Sequence, residues 1–149
     1  MRKNNLTGRM EKPYAKSYLY TRIVDAKLFI DANYTEDIDI DQIASEACFS
    51  KFHFLRLFKQ TYHVTPHQYL TQLKIRKAKT LLQSGASINQ TCASIGFVSL
   101  SSFNKLFKRH VKAAPFEYAC EVRQLHADIN QNPLNHIPLC FIEYMHWDK

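Results

Sequence analysis

Glycine and proline are scarce in this chain, with three glycines and five prolines among 149 residues. Such low numbers argue against a loop-rich β architecture and favour helices. The sequence also lacks any apolar run of about 18 residues, so no transmembrane segment is predicted. Residues 1–20 are basic and polar and lack the apolar segment of a secretory signal. We therefore expect a cytoplasmic protein, formed by one domain or by one compact module with tails.

The four cysteines are far apart, and none has a partner at the spacing of a C-x-x-C or zinc motif. Two of them, Cys48 and Cys92, fall within apolar periodic segments. Free cysteine behaves as a small and frequently buried hydrophobe. We therefore predict buried thiols rather than disulfides at these two positions, and neither a metal site nor a cofactor.

Motifs of common catalytic sites are also missing, including G-x-S-x-G, H-E-x-x-H and a glycine-rich phosphate loop. The seven histidines are scattered along the chain. We predict no catalytic residues and a protein that is not an enzyme. Catalysis remains the alternative that a deep pocket with convergent titratable groups would support.

What the chain does have is an uneven distribution of charge. The total is 20 Lys and Arg against 13 Asp and Glu, a net charge of +7. Residues 28–49 carry six acidic and no basic side chains, whereas residues 50–123 carry twelve basic and two acidic ones. A basic block of this size exceeds what solubility requires. It suggests a polyanionic partner, with nucleic acid preferred to a membrane surface.

The sequence also contains an internal repeat. Most matching positions are apolar, and one inserted residue changes the offset from 48 to 49 residues. The matched pairs are Ile40/Ile88, Ile43/Thr91, Ala44/Cys92, Cys48/Gly96, Phe49/Phe97, Phe54/Phe103, Leu57/Leu106, Phe58/Phe107, Lys59/Lys108, Pro66/Pro115 and Tyr69/Tyr118. Two copies are too few for a solenoid, so the repeat indicates a duplicated helical hairpin.

Helix start and stop signals divide each copy into helices. Capping boxes are expected at Asp39/Gln42, Thr65/Gln68 and Ser87/Gln90. Further signals are the N-cap serines Ser50 and Ser99, the N1 prolines Pro66 and Pro115, and Gly85 as a left-handed stop. Gly96 lies in the tight turn of the second copy, where the first copy has Cys48. A residue other than glycine is disfavoured at this position if its φ is positive.

These signals and the apolar periodicity predict seven helices. The predicted ranges are about 23–33, 40–47, 51–61, 66–84, 88–95, 100–110 and 115–123. The buried stripe of the first helix is predicted to contain Val24, Leu28, Phe29 and Ala32. The buried side of the fourth is predicted to contain Tyr69, Leu73, Ala78, Leu81 and Leu82.

A short helix, a tight turn and a second helix with a polar N-terminal face describe a helix-turn-helix, whose second helix enters the major groove of DNA. The helix between the two units would span about 28 Å at about 1.5 Å per residue. Successive major-groove faces lie about 34 Å apart. We therefore expect an all-α fold with two helix-turn-helix subdomains joined by a long linker helix, and two recognition helices in adjacent turns of one duplex.

Five segments are expected on this basis. They are a basic N-terminal extension at 1–22, the first helix-turn-helix subdomain at 23–65, the linker helix at 66–84, the second subdomain at 85–123, and a C-terminal tail with an aromatic segment at 124–149.

Over residues 24–123, the sequence resembles the DNA-binding domain of AraC/XylS-type bacterial transcription regulators. The first half matches through I-D-Q-I-A at 40–44, Ser50, Phe58 with Lys59, V-T-P-H-Q-Y-L at 64–70 and A-K-T-L-L at 78–82. The second half matches through S-I at 87–88, G-F at 96–97, Phe103, L-F-K at 106–108, and Pro115 with Tyr118. This order and spacing over about 100 residues is highly specific, and it implies a sequence-specific DNA-binding transcription regulator.

Departures from the family pattern are local. Lys74 replaces the usual Arg, His63 and Lys112 replace glycines after the two recognition helices, and Thr91 replaces a common Ile. Ala119 stands where the family often has Arg, so that contact is expected to be lost.

In the first unit, burial of Phe54 and Phe58 leaves Lys51, Phe52, Leu55 and Arg56 facing outward. The resemblance places the family's base-reading positions on Phe52, Leu55 and Arg56. Arg56 is the strongest candidate because a guanidinium can bond guanine O6 and N7 together. Phe52 is suited to contact a thymine methyl, with ordinary core packing as its alternative.

In the second unit, the resemblance places base contacts on Ser101, Ser102 and Lys105. Small hydroxyls discriminate bases poorly, so we expect looser reading and more phosphate anchoring by this unit. The candidates for phosphate contact over both units are Lys51, Lys59, Asn104, Lys108 and Arg109. For each of these the alternative is a solvated surface side chain.

The predicted partner is double-stranded DNA, bound by a monomer, and RNA polymerase is a further candidate. The apolar segment L-C-F-I-E-Y-M-H-W at 139–147 either packs back onto the domain, which we favour, or binds a partner. A protein-interaction or architectural DNA-binding module acting through this tail is therefore the alternative function.

About 22 residues precede the first predicted helix, fewer than the effector domain of many family members requires. We expect a short regulator controlled by its abundance, with a fragment of a larger protein as the alternative.

Overall fold

The computed structural model describes residues 13–138, and over that range the chain is all-α, as predicted. The helices are α1 at Pro13–Asn33, α2 at Ile40–Glu46, α3 at Lys51–Tyr62, α4 at Pro66–Gln83, α5 at Ile88–Ser94, α6 at Leu100–Val111 and α7 at Pro115–Gln131. A short 3-10 helix follows at Pro133–His136. No helix within the described range is both long and apolar enough to cross a bilayer.

Helices α2 to α7 begin where the sequence predicts, but the start of α1 and the end of α7 were predicted wrongly. Helix α1 begins at Pro13 rather than near 23, and α7 continues to Gln131 rather than ending near 123. Both additional stretches are largely exposed where their burial is described. In the α7 extension the apolar spacing does continue, through Val122, Leu125 and Ile129, and the prediction missed it.

The chain divides into two compact units, and the boundary between Leu73 and Lys74 falls within α4. In the first unit, Phe54 and Phe58 are fully buried and their rings meet edge to face with centroids 5.5 Å apart. The remaining buried residues of this core are Ile23, Ala26, Ile30, Ile43, Ala44, Ala47 and Leu73.

The second unit repeats this arrangement. Phe103 and Phe107 are fully buried, and their ring centroids lie 5.6 Å apart in the same edge-to-face geometry. Tyr118 packs against Phe107 at 5.6 Å, as Tyr69 packs against Phe58 at 5.9 Å in the first unit. The repeat seen in the sequence is therefore a repeat of core packing.

The predicted stripe of α1 is wrong for Val24, Leu28 and Ala32 and correct for Phe29, which packs against the core. Val24 and Leu28 are 44% and 55% exposed, and Ala32 is also exposed. The residues that enter the core are Ile23, Ala26 and Ile30 (Phe29 is half-buried). Both sets have helical spacing, and packing against α2 and α3 selects the set containing the small Ala26.

Local capping follows the sequence closely. The capping boxes form at Asp39/Gln42, Ser87/Gln90 and Thr65/Gln68, with both reciprocal hydrogen bonds present in each. Ser99 Oγ accepts from the Ser102 backbone N–H, whereas Ser50 occupies the N-cap without a side-chain hydrogen bond.

Each helix-turn-helix uses left-handed backbone at its turn and after its recognition helix. In the first unit these positions are Cys48 (φ 55°) and His63 (φ 61°), and in the second they are Gly96 (φ 75°) and Lys112 (φ 69°). The prediction of a buried thiol is confirmed for Cys92 and wrong for Cys48, which is exposed. The turn directs the Cys48 side chain outward, although its apolar neighbours suggested burial.

A polar contact joins α1 to α4 in the first unit. The Tyr69 hydroxyl donates to Asp31 Oδ1 at 2.7 Å, and Lys27 pairs with the same carboxylate at 2.5 Å. Partial burial raises the pKa of the Tyr69 phenol, and the Asp31 hydrogen bond raises it further. The Asp31 carboxylate therefore holds α1 against the first turn of α4.

Two phenylalanines on α3 provide a test of the packing. Phe54→Ala removes a fully buried ring and is expected to lower the free energy of unfolding by about 3–5 kcal/mol. Phe52→Ala, the matched control on the same helix, alters an exposed ring and is expected to change it by less than about 0.5 kcal/mol. Urea unfolding followed by circular dichroism measures both. Equal losses would show that α3 is rotated from the orientation described.

Thr91 generates a second prediction. It is fully buried at the position of Ile43 in the repeat, and its hydroxyl oxygen has no hydrogen-bond partner among the described residues. Thr91→Val keeps the shape and removes the unsatisfied group, so stability is expected to rise by about 1 kcal/mol. Thr80→Val, at an exposed position, serves as the control. A loss of thermal stability in Thr91→Val would mean that the hydroxyl has a partner.

Candidate nucleic-acid interface

In the first unit, α2 and α3 are joined by a tight turn at residues 47–50. The Cys48 N–H donates to the Ser45 carbonyl at 2.9 Å, and the Phe49 N–H donates to the Ala44 carbonyl at 3.0 Å. Phe49 packs against the core below the turn. These contacts set the direction in which α3 leaves the turn.

Burial of Phe54 and Phe58 determines the outer face of α3. Phe52 is 85% exposed, so its alternative interpretation as a core residue is wrong. Arg56 is exposed and lies one turn further along the same face, with Leu55 half-buried beside it. The three predicted base-reading residues of this unit therefore share one accessible surface.

The predicted phosphate contacts of the first unit differ in their surroundings. Lys59 is exposed in the last turn of α3. Lys51 donates from Nζ to Asp41 Oδ2 of α2 at 2.7 Å, so part of its charge is already neutralised. Sequence reasoning did not anticipate this ion pair, because the two residues lie ten positions apart on different helices.

In the second unit, the turn is built from Gly96 and Phe97. The Phe97 N–H donates to the Cys92 carbonyl at 3.0 Å, and the Phe97 ring lies 5.9 Å from that of Phe103. Residues on the outer face of α6 are all exposed: Ser101, Ser102, Asn104, Lys105, Lys108 and Arg109. Helix α6 contains no acidic residue, and beyond Leu100 its outer face is basic and polar.

Two exposed apolar residues at the start of α6 were not assigned a role from the sequence. Val98 is fully exposed to solvent, and Leu100 is 41% exposed. The signal that pointed to Val98 was the one-residue insertion in the second repeat. Leu100 was not included among the predicted base-reading residues.

The acidic block surrounds the beginning of α2. Glu36, Asp37, Asp39, Asp41 and Glu46 line one open groove, together with Phe29 and Ile38. This groove would repel phosphate, in contrast to the outer faces of α3 and α6. Within residues 13–138, no cluster of three or more His, Cys, Asp or Glu side chains is arranged to hold a metal ion.

The helix-turn-helix domain family model matches residues 43–120, which contain both turns and both recognition helices. The solved structure of a transcriptional regulator with an AraC-type DNA-binding domain from Chromobacterium violaceum shares 30% identity and superimposes with a TM-score of 0.63. That likeness covers 74% of this chain and 97% of the other. The chain belongs to the AraC-type helix-turn-helix family.

Named regulators from other bacteria are also similar. The chain is 31% identical over 99 residues to the transcriptional regulator ArgR of Pseudomonas aeruginosa, and 32% identical over 84 residues to the probable transcription factor PqrA of Proteus vulgaris. These matches cover 66% and 56% of this chain, and 30% and 69% of the respective relatives. The chain thus spans about a third of the length of ArgR, and two-thirds of PqrA.

A further fold likeness comes from the DNA-binding domain of the global transcriptional factor AdpA, solved in complex with a target DNA. It superimposes with a TM-score of 0.62 at 21% identity and covers 75% of this chain and 96% of that domain. At this identity the likeness establishes the shared fold.

Proposed function

We propose that this protein is a sequence-specific DNA-binding transcription regulator whose helices α3 and α6 each enter a major groove. The main support is that both are second helices of a helix-turn-helix and present exposed polar or basic faces. We expect it to act in the bacterial cytoplasm. Its named relatives are transcriptional regulators.

The proposed division of labour follows the chemistry of each helix. On α3, Arg56 reads guanine while Phe52 and Leu55 contact apolar base edges. On α6, Ser101, Ser102 and Lys105 contact bases. The phosphate contacts are Lys51, Lys59, Asn104, Lys108 and Arg109. We expect Lys51 to be the weakest of these because Asp41 already holds its ammonium group.

We further propose that a monomer binds a bipartite site, with one half-site for each unit in adjacent turns of the duplex. Two similar units in one chain support this, since a protein with a single helix-turn-helix needs a dimer to contact two half-sites. RNA polymerase remains a candidate second partner. The apolar segment 139–147, whose packing was predicted from sequence, lies outside the described residues.

Selection from a randomised duplex DNA pool at two salt concentrations tests the function directly. The expected product is a bipartite motif with half-sites about one helical turn apart. Retention should fall steeply as salt rises, because phosphate neutralisation releases counterions. Salt-sensitive retention without a motif would indicate an architectural DNA binder. If no DNA is retained at low salt, the proposal is wrong for this chain.

Arg56→Ala tests base reading at the selected site. It is expected to reduce discrimination at one G·C pair by about 1–3 kcal/mol, because the bidentate guanine contact is lost. Fluorescence anisotropy on the selected duplex and on its single-base-pair variants measures the change.

Lys59→Ala is the matched control on the same helix. Loss of the Lys59 ammonium group should weaken binding to every duplex about equally and reduce the slope of log K against log salt by about one. The same uniform weakening in Arg56→Ala would assign Arg56 to phosphate contact instead.

A further inference from the structure

The turn of the second helix-turn-helix is one residue longer than that of the first, and the additional residue is Val98. In the first unit, Phe49 is followed directly by the N-cap Ser50, whereas in the second, Val98 separates Phe97 from the N-cap Ser99. The Val98 side chain is fully exposed to solvent, at the point where the chain enters α6. The insertion therefore places a valine in solvent next to the start of the recognition helix.

Packing does not account for this valine. A residue just before the N-cap commonly packs on the fourth residue of the helix, which here is Phe103. That place is taken by Phe97, whose ring centroid lies 5.9 Å from that of Phe103. Lys74 Nζ lies 5.3 Å from the centre of the Phe97 ring. Phe97 thus performs the packing role, and Val98 remains outside the core.

Leu100, the first residue of α6, extends the apolar surface. It is 41% exposed and lies two residues from Val98, while the neighbouring Ser101 and Ser102 are exposed hydroxyls. Residues at the N-terminus of a recognition helix are the ones that contact base edges. In the major groove, the apolar feature of a base edge is the C5-methyl group of thymine.

We infer that Val98 and Leu100 form a contact surface for thymine methyl groups in the half-site bound by the second unit. The inference rests on the proposed function and makes it more specific. The serines alone suggested that α6 discriminates bases poorly. The apolar pair at the N-terminal end of α6 gives the half-site of the second unit a preference for thymine. Deoxyuridine, which pairs like thymine and lacks the methyl group, is the matched probe.

The experiment uses the full chain and its selected duplex. Each thymine of the second half-site is replaced in turn by deoxyuridine, and Kd is measured for the wild type, Val98→Ser and Leu100→Ser. The wild type is expected to lose about fourfold in affinity at one or two thymines, the effect of one buried methyl-sized group. At those positions at least one variant is expected to bind thymine and deoxyuridine equally.

Two controls separate this effect from general damage. Leu134→Ser removes a comparably exposed apolar side chain from the 3-10 helix and should leave every thymine-to-deoxyuridine ratio unchanged. Deoxyuridine in the first half-site should affect Val98→Ser and the wild type to the same degree. Circular dichroism verifies that each variant remains folded, as expected for exposed positions.

Failure of this inference differs from failure of the proposed function. A bipartite motif whose second half-site shows no thymine preference over deoxyuridine would overturn the methyl contact and leave specific DNA binding intact. Full methyl preference in both serine variants would also overturn it. If the pool yields no motif, both proposals fall together, before any deoxyuridine is introduced.

Discussion

The buried phenylalanine pairs on α3 and α6 are the constraint on which the rest of the molecule depends. Phe54 and Phe58 lie one turn apart and both lack solvent exposure, as do Phe103 and Phe107. Because each residue of a helix turns by about 100°, burying such a pair leaves no freedom in rotation about the helix axis. The outer face of each recognition helix is therefore set by the core. A variant that loosened the pair would change which side chains are presented as well as stability.

Signals that depend on neighbouring residues were readable from the sequence. Capping boxes, N1 prolines and the phenylalanine spacing act within one or two turns, so the starts of α2 to α7 were predicted correctly. The outer ends of α1 and α7 carry such signals too, Pro13 at the first helical position and Asn132 with Pro133 after the last turn, but the prediction did not use them. Two interleaved sets of apolar residues run along α1, and the buried side of the helix depends on which set fits against α2 and α3. Local periodicity contains both sets, and tertiary packing selects the one with Ala26.

At the candidate site, the sequence predicts which side chains face outward but not which other residues lie beside them. Helical geometry alone turns Phe52 and Arg56 away from Phe54, and the structure confirms their exposure. The pairing of Lys51 with Asp41 depends on how two helices meet. The exposure of Val98 likewise follows from Phe97 occupying the place on Phe103. Alignment of the repeats marks Val98 as the extra residue but does not give its exposure.

The two units share a core but differ in the chemistry they offer a duplex. In the first unit, one lysine of α3 is paired and an acidic groove surrounds the start of α2, so its attraction for phosphate is partly cancelled. The second unit has Lys105, Lys108 and Arg109 on α6, with no acidic residue on that helix. On the proposed function, α6 therefore contributes most of the salt-dependent affinity. On the same proposal, Arg56 on α3 supplies the strongest hydrogen-bonded base discrimination, so each unit compensates for what the other lacks.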